Sequence, residues 1–471
     1  MFWTAVTTAL LLVSAVVALK YVVLPNVESY QDDIISRVAA SSGMDVSAFA
    51  IRGSWSGFRP FVELENVVFR ETADSTVPDR LAGAEALRLP RMTVSLSWWS
   101  LLMNQIRFVD VSLIGPELAL SRRKDGLIYF AGRAINAPQE EQDSGRLVEL
   151  LLEQPGVEIQ RATLTWTDEL SPGKTLRFTN VGVRIENGLN GHVIGMTATP
   201  PASLAHLLEL RGNMKFQKDA GKWSAVGGLY VAVNDVNFAE LRAHLPVPGA
   251  LRAGLGNVRA WIDIDSTAAP PTPTSAGYAM AAFSPVRAIT ADINLIDTRA
   301  QLSPEVSPLN IASLAGRIVY KAQEGGFTVG SKALELRTRE GVTLPPADFS
   351  LTLQQPLGPD SARGEITGSG IDLKVMAALL EYFPVPAEIR AVAARFSPRG
   401  LVQQSRFQWT GYLDNISTFR ISGAVTDFAL NADGHLPGVS GFTGSVDGDE
   451  KGGKFNVAAK NLQLDLPKLM R

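Results

Sequence analysis

The sequence predicts a mainly β protein: an N-terminal transmembrane helix followed by an elongated, twisted β-sheet gutter or solenoid of tandem modules with a few short helices. Three observations lead there. Residues 2–24 are almost wholly apolar, with Lys20 as the lone formal charge. Beyond Gly43 the apolar residues recur with a period of two, the spacing of one face of a strand. Residues 314–336 recur in altered form at 442–464, which marks repeated units.

The apolar run is long enough to cross a bilayer core of about 30 Å as a helix. Trp3 and Tyr21 stand near its ends, where interfacial aromatics collect. A cleaved signal peptide fits less well, because no basic residue precedes the run and no Ala-x-Ala follows it near Ser14–Leu19. The flank beyond it carries Glu28, Asp32 and Asp33. The expected topology is therefore a very short cytoplasmic tail with the body outside the cytoplasm.

Next comes an amphipathic segment, Gln31 to Ala40, with Ile34, Ile35, Val38 and Ala39 on one side. Asp32-Asp33 would be favourable charge at its N-terminus. Val62, Leu64, Val67 and Phe69 then read as a strand with a slip near Asn66, continued by Ala86–Leu96. Residues 98–104 read as a short helix. Ile106–Leu113 and Pro116–Arg122 are two strands joined at Gly115-Pro116, and Asp125-Gly126 signals a hairpin. After a polar linker, 137–146, a short helix is expected at Leu147–Gln154. Strands follow at Val157–Thr167, Leu176–Glu186 and His192–Thr199, with a possible helical turn at Leu204–Leu208. Further strands are Leu210–Gln217, Trp223–Val233 and Val258–Asp265, with a short helix at Phe238–Leu245 ended by Pro246-Val247-Pro248. Residues 266–286, rich in Pro, Ala, Ser and Thr, are the second linker. Strands occupy the remainder, interrupted by one helix at Val375–Phe383. The resulting regions are 1–25, 26–136, 147–265 and 287–471.

The repeat is specific. At an offset of 128, Gly316, Gly325, Phe327, Val329, Lys332, Leu334 and Leu336 fall on Gly444, Gly453, Phe455, Val457, Lys460, Leu462 and Leu464. A second match sets Leu241 and Pro246-Val247-Pro248 against Leu379 and Pro384-Val385-Pro386. A length of 471 residues would ordinarily mean about three compact domains. The repeat replaces that with stacked modules of about 130 residues.

Alternation gives each strand one apolar face. Val181, Val183 and Ile185 stand opposite Arg184 and Glu186, and Ile262 and Ile264 stand opposite Asp263 and Asp265. Leu334 and Leu336 form a third set, preceded by Phe327 and Val329 on the same segment. Leu462 and Leu464 form a fourth, preceded by Phe455 and Val457. Something must cover these faces: a second sheet, the curvature of the sheet itself, or an apolar ligand. These thirteen residues are the candidates for a groove lining.

Composition and motifs argue against most chemistry. Lys plus Arg is 44 and Asp plus Glu 47, a near-balance unlike that of nucleic-acid binders. There is no cysteine, which excludes thiolate catalysis, Cys-ligated metals and disulfides, and which suits an oxidising compartment. Gly53-Ser54-Trp55-Ser56-Gly57 has Trp where a nucleophile elbow needs Ser. Gly330-Ser331-Lys332 lacks the order of a phosphate loop, and Gly254-Leu255-Gly256 fails the dinucleotide pattern. The four histidines are dispersed, so no metal or cofactor site is expected. Arg122-Arg123-Lys124 reads as a solvated turn. No nucleophile, base and oxyanion site assemble, and no enzyme activity is expected.

Three stretches resemble the YhdP-type members of the AsmA-like envelope proteins. One is the apolar run followed by Gly53-x-Trp55-x-Gly57 and Val62–Val67. Another is Trp99-Ser100-Leu101-Leu102 running through Ile106–Val111 and Gly115-Pro116-Glu117-Leu118 to Asp125-Gly126. The last is the repeated helix ending in Pro-Val-Pro. The resemblance implies a bacterial inner-membrane anchor at residues 2–24 and a periplasmic β body with an apolar groove. That groove would carry phospholipid toward the outer membrane and support its permeability barrier. It also implies a longer chain, so continuation past Arg471 is expected. Envelope or outer-membrane proteins are the other expected partners, and nucleic acid is not. The competing readings are an assembly factor for outer-membrane proteins and a membrane-anchored enzyme.

Overall fold

The computed structural model describes residues 2–23, 26–32, 35–36, 39, 45–56, 59–70, 85–96, 108–130, 133–134, 154–170, 175–189, 191–219, 222–244, 251–267, 285–323, 325–354, 362–412, 415–433, 436–459 and 461–466. The helix expected at 98–104, that at 147–154 except Gln154, the linker 137–146, Pro246-Val247-Pro248 and most of the 266–286 linker lie outside them. The chain divides into two units, 1–202 with 207–222, and 203–206 with 223–471. Both are built mainly of β-strands.

The first unit opens with helix α1 (Phe2–Ala18), which runs into a π-helical turn, Leu19–Val23. The single helix expected over residues 2–24 is thus corrected to 17 α-helical residues, about 26 Å at 1.5 Å per residue. Among the described residues no helix is long and apolar enough to cross a membrane. Gln31, Asp32, Ile35, Ser36 and Ala39 are helical, as the amphipathic pattern requires, and Ile35 packs on the first core.

The strands follow: β1 (Asp45–Ser47), β2 (Ala50–Ser56), β3 (Arg59–Arg70), β4 (Glu85–Leu96), β5 (Phe108–Ile114) and β6 (Glu117–Arg122). Then come β7 (Ile128–Phe130), β8 (Arg133–Ala134), β9 (Gly156–Asp168), β10 (Leu176–Gly188), β11 (Gly191–Thr199) and β12 (Leu207–Asp219). Among the described residues pairing is antiparallel except that β5 and β6 both run parallel to β9. Gly115, at φ +68°, kinks the chain between them, so that β5 and β6 together line one neighbour. Ile51, Val62, Leu64, Val67, Phe69, Leu89 and Val94 make one core, and Ala162, Val181 and Ala198 centre another.

The second unit contains β13 (Lys222–Asn237), helix α2 (Phe238–Leu241), β14 (Leu251–Asp265), β15 (Val286–Ala300), β16 (Leu309–Gln323), β17 (Gly326–Thr338) and β18 (Thr343–Gln354). It continues with β19 (Arg363–Ser369), β20 (Ile371–Asp372), helices α3 (Leu373–Leu379) and α4 (Ala387–Phe396), β21 (Arg399–Tyr412) and β22 (Asn415–Leu430). β23 (Gly438–Asp449), β24 (Gly452–Val457) and β25 (Gln463–Asp465) end it. Each strand pairs antiparallel with the next along the row. Among the described residues β13 does not pair with β24 or β25, so the sheet of this unit is open. The two segments of the 128-residue repeat form equivalent hairpins, β16–β17 and β23–β24.

Three helical expectations change. Leu204–Leu208 is no helix; a turn leads into β12, and the peptide groups of Leu204 and His206 bond to Asn237 and Asn234 at the end of β13. The helix after Asn237 is only four residues long. The helix at 375–383 is α3 plus a 3-10 turn, Leu380–Tyr382, and a second helix, α4, follows it. Pro384 and Pro386 end the first and lead into the second, because proline suits a helix start as well as a stop.

One device recurs in strands β3, β9, β10, β13, β15, β17 and β22. Asn66, Arg161, Asn180, Asp235, Asp297, Ala333 and Asp427 all have φ between +46° and +54°. All but Asn66 sit at a shift of register where one extra residue bulges the strand, which bends it and strengthens its twist. Strand faces alternate with period two, so the extra residue switches the parity of the apolar positions while keeping them on one face. In β15 they are Ile289, Ala291, Ile293 and Leu295 before the bulge, and Thr298 and Ala300 after it. In β17 they are Phe327, Val329 and Ser331, then Leu334 and Leu336. At the expected slip Asn66 has the same positive φ, and the buried positions change from Val62 and Leu64 to Val67 and Phe69, while the pairing with β4 keeps its register. Neighbouring strands satisfy the bulged amides: Asp235 N–H donates to Asn257 Oδ1 (3.0 Å), Ala333 N–H to Asp348 Oδ1 (2.7 Å) and Asp427 N–H to Thr443 Oγ1 (3.1 Å). Glycine faces three of these sites. A Cβ at Gly316 would lie 2.9 Å from Leu334 Cα, and one at Gly400 would lie 2.7 Å from Phe428 Cα; Gly254 faces Thr298 in the same way.

Candidate functional site

The bulges gather the apolar side chains of the second unit onto one face, where register aligns them into rows across the strands. The longest row reads Leu229, Ile262, Ile289, Tyr320, Val329, Leu351, Ile366, Phe407 and Ile421, one residue from each of β13 to β19, β21 and β22. A second row, closer to the hairpin end of the strands, holds Phe327, Leu353, Gly364, Trp409 and Phe419. Rows of this kind are how cross-strand neighbours make continuous contact.

The two ends of this face differ. Beyond the bulges, Phe238 and Leu241 of α2 pack on Val236, Leu251 and Leu295. Leu379, Val375 and Met376 of α3 pack on Leu309, Ile311, Leu336, Leu344 and Ala347. Asn237 and Asp372 cap these helices: Asp372 Oδ1 accepts from the Lys374 amide at 2.9 Å and the Val375 amide at 3.2 Å. The nine-residue row belongs to neither cluster. Tyr320 in it is buried, most of its members are half-buried, and Ile366 and Ile421 remain 44% and 42% exposed. Burial pushes the Tyr320 phenol above its ordinary value, with the positive charge of Arg287 pulling the other way.

The opposite face is polar in the same register. Thr328 meets Thr352 at 2.9 Å, Ser350 meets Thr367 at 2.7 Å, and Gln408 Nε2 donates to Glu365 at 2.6 Å. Arg317 makes a two-pronged pair with Asp292 (2.6 and 3.0 Å), which holds the carboxyl below its usual range.

The groove candidates fall as follows. Ile262 and Val329 stand in the long row, Phe327 in the second, and Ile264 beside Gly227 and Val286. Leu334 and Leu336 share the same face past the bulge, and Leu336 is buried by the α3 cluster. Phe455 and Val457 pair with Val446 and Gly444 on the outermost strand and are 70% and 55% exposed; Leu462 and Leu464 are exposed as well. In the first unit Val181 is 1% exposed in a closed core, with Val183 and Ile185 beside it on β10. Sequence reasoning missed Leu229, Ile289, Tyr320, Leu351, Ile366, Phe407 and Ile421, although each stands in an alternating segment.

The other motifs of the sequence fall as follows. Ser54, Trp55 and Ser56 lie in extended strand β2, not in a turn. Among the described residues no group of three His, Asp or Glu could hold a metal ion. Arg122, expected in a solvated turn, instead grips the buried carboxylate of Asp168 through Nε (2.9 Å) and Nη2. Arg123 lies over the Tyr129 ring, 4.1 Å from its centre.

A sequence model of the YhdP protein family matches residues 1–471. The chain belongs to the YhdP family. No curated protein and no solved structure matches it. In this YhdP family chain the second unit is an open β-sheet whose apolar side chains gather on one face.

Proposed function

We propose that this chain is a lipid-carrying envelope protein. In this reading it holds phospholipid acyl chains on the apolar face of its second unit and passes them between the inner and outer membranes. The observation that carries the reading is the nine-residue apolar row outside both helix-covered clusters. A half-exposed row of this length is costly in water and is matched by hydrocarbon. Family membership supports the same reading. The α1 segment supports attachment to the inner membrane, with the body in the periplasm: Phe2, Trp3, Leu10, Val13 and Tyr21 are all more than 60% exposed, a surface suited to lipid.

The test is site-specific photo-crosslinking in cells. Probes at Ile289, Val329 and Leu351 are expected to trap phospholipid, and probes at Thr328, Ser350 and Thr352 on the opposite face are not. Equal labelling of both faces, or none at the first three, would refute the reading. One observation favours a second reading as an assembly factor. Every residue of β24 is exposed, so the strand is an edge that a partner's strand can extend. Protein adducts at Phe455, in place of lipid adducts, would favour that function.

A further inference from the structure

From β13 to β22 the apolar face carries one formal charge among the described residues, Arg287. It enters at a bulge at the start of β15, where Asp263 pairs with Ala288 and Ile264 with Val286. Its parity is that of Ile289, so it stands on the apolar side, and its Nε is buried. Tyr320 on β16 pairs with Ile289 and is therefore Arg287's diagonal neighbour. Ser331 on β17 is the diagonal neighbour of Tyr320, since Tyr320 pairs with Val329 and Ile318 with Ser331. Diagonal neighbours sit about 7–8 Å apart, within reach of long side chains. Ser331 is 8% exposed and its hydroxyl is buried with no hydrogen-bond partner.

Guanidinium, phenol and hydroxyl are all donors, and a guanidinium matches phosphate oxygens in geometry and charge. Three donors on three adjacent strands, within a face otherwise apolar, form a polar diagonal beside an apolar row. We propose that Arg287, Tyr320 and Ser331 bind the phosphate of a phospholipid whose acyl chains lie along Ile289, Val329 and Leu351. This rests on the acyl-binding function proposed above and adds headgroup recognition to it. A diacylglycerol, which has the chains without the phosphate, would gain nothing from the diagonal.

The experiment compares two fluorescent probes with matched acyl chains, phosphatidylglycerol and diacylglycerol, on the full chain in detergent. Arg287→Gln is expected to weaken phosphatidylglycerol binding by about 10-fold or more, the effect of removing a charged hydrogen bond, and to leave diacylglycerol binding unchanged. Arg287→Lys is expected to restore part of the loss, and Ser331→Ala to produce a smaller loss for the phospholipid alone. Unchanged diacylglycerol binding also reports that each variant is folded. Equal loss for both probes, or no loss for either, would overturn the proposal. So would inorganic phosphate that displaces phosphatidylglycerol at concentrations comparable to the lipid, since the site would then recognise the free ion. A wild-type chain that binds neither probe would instead refute the acyl-binding reading itself.

Discussion

The indole of Trp409 occupies the space that a side chain on Gly364 would need. The two residues pair across β19 and β21, and ring atoms Cζ2, Cε2 and Cη2 all crowd a Cβ built at the glycine. Trp409 is 3% exposed in consequence, stacked 5.5 Å from the Phe407 ring. Overpacking of this kind costs about 1–3 kcal/mol. Gly364→Ala is therefore expected to lower stability by that amount and shift the tryptophan emission, read by urea unfolding. Adding Trp409→Leu to Gly364→Ala removes the clash and is expected to recover part of the loss.

Ala333 holds φ +48° in β17 without glycine's freedom. A Cβ in the left-handed region costs roughly 1–2 kcal/mol, part of which glycine returns through the entropy of the unfolded chain. Ala333→Gly is expected to raise stability by about 0.5–1 kcal/mol. Asp427→Val, which sets a β-branched residue at φ +52°, is expected to lower it, and Asp427→Gly to stay close to wild type. Chemical denaturation of the three variants checks the order.

Asp372 caps α3 through two amides, and α3 covers the cluster around Leu336 and Leu344. Loss of such a cap costs about 1 kcal/mol. Asp372→Ala is expected to show that loss, and hydrogen exchange of α3 amides is expected to rise before that of the β16–β17 ladder.

Asp292 is held below its usual pKa by Arg317, and Glu340 by the side-chain amide of Asn310 and its own backbone. A carboxyl depressed in the folded state contributes stability at pH values above its unfolded pKa of about 4, and that contribution is lost as pH falls through the folded value. Asp292→Asn is expected to be less stable than wild type near pH 7, with the two converging toward pH 2. A constant gap across that range in urea titrations would refute the linkage.

Much of the architecture is legible in the residues. Alternation locates most of the long strands, and the 128-residue offset finds two equivalent hairpins. The bulges are legible only in part. Asn66 shows as a slip because Val62, Leu64, Val67 and Phe69 change parity within eight residues. The same signature, an apolar residue two before Asn or Asp and another directly after, stands at Phe178-Thr179-Asn180-Val181, Val233-Asn234-Asp235-Val236 and Val425-Thr426-Asp427-Phe428. Read separately, each segment looks like two short strands. The row from Leu229 to Ile421 was hidden for a different reason: it exists only through register, and register depends on turns and bulges far apart in sequence. The parallel pairing of β5 and β6 with β9 is hidden in the same way. Helix α4 was masked by prolines that serve both as an ending and as a beginning.

The bulges also bear on how such a sheet avoids assembling wrongly. Strands that all present the same apolar alternation offer many near-equivalent neighbours, and such degeneracy invites mispairing and exchange between copies. A bulge is a notch at a fixed height, and the glycine facing it, as Gly316 faces Leu334 and Gly400 faces Phe428, is the only residue that fits the notch closely. A strand that arrives one position out of step would press a Cβ against backbone and leave the bulged amide without its acceptor. Notch and glycine together act as a key between neighbouring strands, selecting the native partner from a series of look-alikes.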